Sequence, residues 1–370
     1  MQDHRIAVPD EAIADLRDRL ARTRWPADPA GLGWDRGAPP AHVRALAERW
    51  RDGYDWRAWE ARLNAWPQVV TEIDGTRIHA AHVRSPEPGA LPLVLSHGWP
   101  GSIAEFLDVA GPLTDPRAHG GDPADAFHLV MPSLPGFAWS GPTPDTGWTP
   151  RRMANAFATL MERLGYDRFG AQGGDWGSAI SRWLGHDHPE RVVGVHINML
   201  SGAFPREDDG SLAGEERARW ERAQRFLADG QGYYAIQSTR PMTLAYGLTD
   251  SPAGQLAWVA EKFEDWTDRP LEPDLVLTQA SIPWFTGTAG SSAQIYLEHA
   301  RAGGRGAVIE VEVPVGVAVF PQEITPPIRR FAHGLNIVHW SEMPRGGHFA
   351  AMEEPELFVE DVRAFFRPLR

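Results

Sequence analysis

The segment Gly173-Gly174-Asp175-Trp176-Gly177 follows a short apolar run and opens a helical one. Glycines two residues before and two after a central side chain permit a strained strand-to-helix turn that holds that side chain out, a nucleophile elbow. Serine in that place would need a base before it could attack. Aspartate is ionised near neutral pH and can attack an electrophilic sp³ carbon directly, leaving an alkyl ester. Such chemistry suits epoxides and alkyl halides and does not suit amides. Read alone, the pentapeptide also fits an aspartate that only caps a helix.

Three further segments supply partners for Asp175. Ser96-His97-Gly98-Trp99-Pro100-Gly101 follows the apolar run Leu91–Leu95. A loop there offers one backbone N–H of an oxyanion hole, and the residue after the nucleophile offers the other. Trp99 and Trp176 are therefore expected to act through their amides and not their rings, with His97 structural. The Trp99–Pro100 bond is a candidate for cis, since only X–Pro bonds adopt cis at little cost. Gly346-Gly347-His348-Phe349 lies between the last strand and the last helix, where a base belongs. Glu323, in Phe320-Pro321-Gln322-Glu323, is the best-placed orienting acid, because Glu342 and Glu353 are too near His348 along the chain. Asp175, Glu323 and His348 then follow the order nucleophile, acid, histidine.

Two clusters receive a plainer reading. His186-Asp187-His188 looks metal-like but precedes Pro189 at a helix end, so solvation or capping is expected. The charged run Glu215–Arg225 is expected to be the wet face of a helix.

The positioning elements follow from periodicity. Residues 1–66 form a helical prelude: Ile13, Leu16 and Leu20 share one face, and Val43, Leu46, Ala47 and Trp50 share another. A Gly/Pro-rich stretch, 27–40, separates them. Such stripes must lie against the main body. Gln68–Ile73 and Thr76–Arg84 flank Asp74-Gly75, a hairpin signal. Strands are then expected at Leu91–Ser96, Phe127–Met131, Arg168–Gln172, Arg191–Met199, Val311–Phe320 and Gly334–Trp340. Thr149-Pro150 opens a helix with Met153, Phe157, Leu160, Met161 and Leu164 on one face, and Phe358, Val362 and Phe365 mark a final helix. Apolar strands alternating with helices imply a mostly parallel sheet covered on both faces. The alternation stops over residues 200–305, which read as a helical lid inserted between core segments 67–199 and 306–370.

Composition sets the limits. The 370 residues carry 36 Lys and Arg against 49 Asp and Glu, a net charge of −13 that disfavours nucleic acid and anionic membranes. Lys262 is the only lysine, a bias toward arginine that suits high-GC, bacterial coding. With no cysteine there is neither thiol nucleophile nor thiolate metal site. No run of about 18 apolar residues and no signal peptide are present, so a cytoplasmic protein is expected.

With these motifs in place, the chain resembles the α/β-hydrolase-fold epoxide hydrolases, in particular the branch of microsomal and juvenile-hormone epoxide hydrolases with their bacterial relatives. Ile6–Pro26 resembles the N-terminal segment of that branch, and His97–Gly101 its oxyanion loop. Gly173–Gly177 resembles its elbow, and Phe320–Glu323 and Arg345–Ala351 its acid and histidine loops. The resemblance implies a soluble enzyme, lacking the anchor of microsomal forms, that converts a small-molecule epoxide to a vicinal diol without metal or organic cofactor. A homodimer is an allowed assembly. The role would lie in detoxification or in building secondary metabolites such as antibiotics.

The resemblance also implies two lid tyrosines donating to the epoxide oxygen: Tyr233 in Gly232–Gln237 and Tyr296 in Ser291–Tyr296, with Tyr234 the alternative to Tyr233. Phe137 and Trp139, in Pro135-Gly136-Phe137-Ala138-Trp139, are expected at the substrate pocket, where the family usually has a second glycine and a smaller aromatic. The rival is a haloalkane dehalogenase, in which the Trp176 indole N–H would hold a halide. A ligand-binding member of the fold without turnover is a second alternative.

Overall fold

The computed structural model describes residues 1–27, 33–208, 210–304 and 308–370. Nine strands form one sheet: β1 (Gln2–His4), β2 (Gln68–Ile73), β3 (Thr76–Val83), β4 (Leu91–Ser96), β5 (Phe127–Pro132), β6 (Phe169–Gly173), β7 (Val192–Ile197), β8 (Val311–Val319) and β9 (Leu335–Glu342). Their spatial order is β1-β2-β3-β5-β4-β6-β7-β8-β9. The pairs from β1 to β5 are antiparallel, and the six strands from β5 to β9 run parallel. The central parallel strands are apolar on both faces: Leu93, Val94, Leu95, Ala171, Val195 and Val317 are inaccessible to solvent. Each fully buried Val or Leu among them contributes about 1.5–3 kcal/mol, and helices on both sides collect that contribution.

The expected helices form. Thr149 caps Pro150–Arg163 by accepting from the Arg152 N–H, and Met153, Phe157, Leu160 and Met161 are buried. The Asp74-Gly75 turn takes φ of 51° and 71°, closing the β2–β3 hairpin. Two elements of the prelude escaped the sequence reading. Residues 1–66 are not wholly helical, because β1 extends the sheet edge, with Gln2 opposite Val70. Three residues are too few to show a period of two. The helix Trp56–Asn64 is nine residues long and is capped by Asp55, which accepts from the Arg57 N–H at 2.9 Å.

The insertion between β7 and β8 contains helices and, among the described residues, no strand. The prelude fastens to it. Trp50 donates its indole N–H to Ser281 at 2.8 Å, and the Tyr54 hydroxyl lies 2.9 Å from that of Thr278, both on the helix Pro273–Thr286. The apolar stripe of Val43, Leu46, Ala47 and Trp50 is buried as expected. Part of the Gly/Pro-rich stretch 27–40, and the boundary placed at 305/306, lie outside the described residues. Among the described residues no helix is long and apolar enough to cross a membrane.

Candidate active site

The chemistry gathers at the C-terminal ends of the parallel strands, where open α/β sheets bind ligands. At the end of β6 the chain turns through Gly174 into the helix Asp175–Asp187. Asp175 takes φ 47°, a left-handed conformation that costs a side chain about 1–3 kcal/mol and persists only where its surroundings enforce it. They do so by close approach. A Cβ on Gly177 would stand 1.9 Å from the Ser96 carbonyl oxygen, and one on Gly98 would stand 2.2 Å from Asp175 Oδ1. Hence the loop after β4 can lie against Asp175. There the Trp99 N–H donates to Asp175 Oδ1 at 2.8 Å. The Trp99–Pro100 bond is cis.

Asp175 Oδ2 faces His348 Nε2 at 3.5 Å, while His348 Nδ1 pairs with Glu323 Oε1 at 2.8 Å. Glu323 Oε1 also accepts from the Ile324 N–H at 2.7 Å. Glu323 and His348 are buried, and the two loops meet where the Gln322 N–H donates to the Gly346 carbonyl. Burial alone would lower the His348 pKa, but Glu323 and Asp175 on either side of the ring outweigh it and raise it well above 6.5. The structure thus brings Asp175, Glu323 and His348 together. His97 stands apart from them: its Nδ1 lies 3.0 Å from the Gly98 carbonyl oxygen and its Nε2 accepts from the Leu134 N–H. Burial lowers its pKa to about 4, so it stays neutral.

Both tyrosines lie on helices of the insertion, Gly232–Gln237 and Gln294–Arg301, and both are buried. The Tyr233 ring stacks on Trp99 with 5.2 Å between centroids and 5° between planes. Tyr296 meets Trp99, Trp176 and Tyr233 edge-on, at 5.7, 4.8 and 5.8 Å. Burial, together with nearby Asp175, raises both phenols well above 10, so both keep their protons. Tyr234 is only half-buried and reaches Tyr296 edge-on at 5.2 Å.

The sequence is that of a known family. Residues 1–106 match the family model described as the epoxide hydrolase N terminus, and residues 92–230 match that of the alpha/beta hydrolase fold. Epoxide hydrolase 1 of Sus scrofa is 34% identical, over 98% of this chain and 87% of its own length. The chain belongs to the epoxide hydrolase family. A provisionally named epoxide hydrolase of Stigmatella aurantiaca is 45% identical over 99% of this chain and 84% of its own length. Among solved structures, the epoxide hydrolase of Aspergillus niger superposes with a TM-score of 0.91 at 32% identity, covering 100% of this chain and 96% of that one. The fold is accordingly the α/β-hydrolase fold.

Against this epoxide hydrolase framework, several expectations change. Phe137 is buried beside the His97 ring and, with Trp99, Trp258 and Ile282, lines a cavity of about 20 Å³. Trp139 does not line it. Ala138 takes φ 42°, and the Trp139 ring meets those of His4 and His79, at 6.5 and 5.1 Å between centroids. The Trp99 and Trp176 indoles both pack on the Tyr296 ring, and of their two amides that of Trp99 donates to Asp175. The run Glu215–Arg225 is not simply a wet face: Arg222 donates to the Gln322 and Glu323 carbonyls, at 2.7 Å each, and clamps the acid loop. His186 and His188 bond to the Glu310 carbonyl and to Asn155, which is a structural role.

Trp266 escaped the sequence reading. Its ring meets His348 edge-on at 5.0 Å, and its carbonyl accepts from the His348 N–H at 2.9 Å. Lys262, in the last turn of the helix Pro252–Asp265 that Trp266 follows, places its ammonium 4.7 Å from the centre of the Tyr233 ring. A lone lysine and one tryptophan of sixteen carry no positional signal; only packing reveals them. Two larger cavities, of about 620 and 550 Å³, lie away from Asp175.

Proposed function

We propose that this enzyme opens its epoxide through a covalent ester on Asp175. The observation that carries the reading is the division of labour on that carboxylate: Oδ1 rests on the Trp99 N–H and Oδ2 faces His348. Oδ2 attacks a ring carbon while Tyr233 and Tyr296 donate to the epoxide oxygen, which leaves as an alkoxide and takes a proton. General-acid help of this kind contributes roughly 10²–10⁴-fold. Water then loses a proton to His348 and adds to the ester carbonyl. Oδ1 becomes the oxyanion, held by the Trp99 N–H and by that of Trp176, each worth about 3 kcal/mol. Glu323 orients the imidazole and stabilises its cation. Collapse releases the diol.

The aromatic wall of Trp99, Phe137 and Trp258 suits an apolar substituent on the epoxide. A halide-releasing reaction is the second reading, because the buried Trp176 indole N–H has no hydrogen-bond partner among the described residues. Two protonated phenols favour the epoxide, since an alkoxide needs a proton and a halide does not. Diol and halide release, measured side by side on a small aryl epoxide and the matching alkyl halide, test this. Diol alone is expected, and Asp175→Ala should abolish it; halide release, or diol from that variant, would overturn the reading.

A further inference from the structure

A second small cavity reaches Asp175 and His348. Ser96, Glu105, Gln172, Asp175 and His348 are among the residues that line it, and its volume is about 20 Å³. A cavity needs roughly 10–15 Å³ to hold one water, and that water needs two to four polar partners. Four buried polar atoms of the lining residues, Ser96 Oγ, Glu105 Oε1, Gln172 Oε1 and His348 Nε2, have no hydrogen-bond partner among the described residues. Buried polar atoms are nearly always paired, so four such atoms on residues around one water-sized space define a site for a water.

We propose that Glu105 is a water-positioning residue that holds the hydrolytic water against His348 for attack on the Asp175 ester. This deepens the covalent reading above and rests on it. The water donates one hydrogen to His348 Nε2 and the other to Glu105 Oε1. As its oxygen bonds to the ester carbon, the first proton passes to His348 and the carbonyl electron pair moves to Oδ1. When the carbon–oxygen bond to the diol breaks, the His348 cation returns that proton to the departing alkoxide. Glu105 keeps the second hydrogen directed away from the ester carbon, so the water's lone pair faces it.

Two features fit Glu105 to this place. Gly101 makes room for it, since a Cβ there would fall 1.5 Å from Glu105 Oε1. Burial raises the carboxyl to about 8, nearby Asp175 adds to that rise, and His348 and the Gly98 and Ser102 backbone oppose it. At neutral pH Glu105 is therefore an uncharged acceptor that brings no second negative charge to Asp175.

Single-turnover kinetics with a small aryl epoxide separate ester formation from ester decay in the full-length enzyme. Glu105→Leu should leave ester formation within about threefold of wild type and slow decay by roughly tenfold or more, the loss of one buried hydrogen bond. The ester then accumulates. Should Leu fail to fold, Glu105→Gln keeps the size and neutrality of the protonated acid. It should remove the inflection in decay rate, alkaline of pH 7, that Glu105 ionisation gives the wild type. A folded Leu variant with wild-type decay, equal slowing of both steps, or a Gln profile identical to wild type would overturn the proposal. An absence of ester in wild type and in His348→Gln would instead overturn the covalent reading beneath it.

Discussion

His348 Nε2 stands 3.5 Å from Asp175 Oδ2, longer than a normal hydrogen bond and short enough for strong electrostatic attraction. In the free enzyme the ring therefore lies between two carboxylates, because Glu323 holds its other nitrogen. In the proposed scheme, alkylation of Asp175 would abolish one of those charges. The imidazole pKa would then fall at the step that needs a base, so that one event would ready the next.

Removing the base should isolate the first step. His348→Gln is expected to form the Asp175 ester and to slow its decay by roughly 10²–10⁴-fold. Intact-mass spectrometry after mixing with a small aryl epoxide should show one substrate mass added to the chain. An unmodified mass with full substrate recovery would contradict the scheme.

The pH dependence carries the same signature. The pKa of His348 in the free enzyme is raised above 6.5 by Glu323 and Asp175 against the pull of burial, and the ester lacks the Asp175 contribution. Ester decay should therefore rise with pH at a midpoint below that of the free-enzyme imidazole measured by NMR. Stability follows by linkage. The imidazolium contribution is fully present below pH 6.5 and is lost as pH climbs through the raised folded value. Asp175→Asn should flatten that loss in thermal melts recorded across the alkaline limb.

The tyrosines are expected to act on formation of the ester and not on its decay. Tyr296→Phe and Tyr233→Phe should each slow ester formation by about 10²-fold. Rapid-quench measurement of both phases tests this. Tyr234→Phe, at a half-buried position, should change neither phase by more than about threefold.

Gly98 tests the packing that holds Asp175. The Cβ of Gly98→Ala would collide with Asp175 Oδ1 at 2.2 Å and displace it from the Trp99 N–H. Turnover should drop by at least about 100-fold, the cost of losing an oxyanion donor, while circular dichroism stays that of the wild type.

The grouping of Asp175, Glu323 and His348 was legible because each sits in a segment with its own local signature. Gly173–Gly177 follows a strand and opens a helix, and His348 follows a glycine pair after the last strand. Glu323 lies just past β8. Tyr233 and Tyr296 came only through resemblance, since nothing in their local spacing points to a site. That the Trp139 ring meets His79 was not legible, because motif order does not encode a positive φ such as that of Ala138 beside it. Arg222, Trp266 and Glu105 were invisible for a related reason. Each meets the site across a contact between segments apart in the chain, and a charged run or a lone aromatic looks the same whether it meets solvent or the loops around Asp175.

A single turnover in ¹⁸O-labelled water, with enzyme in excess over epoxide, tests the covalent ester most directly. The account predicts a diol whose new oxygen is unlabelled, because it comes from the Asp175 carboxylate, and a label recovered in the peptide containing Asp175. A labelled diol with no label in that peptide would mean that water attacks the epoxide directly and would contradict the account.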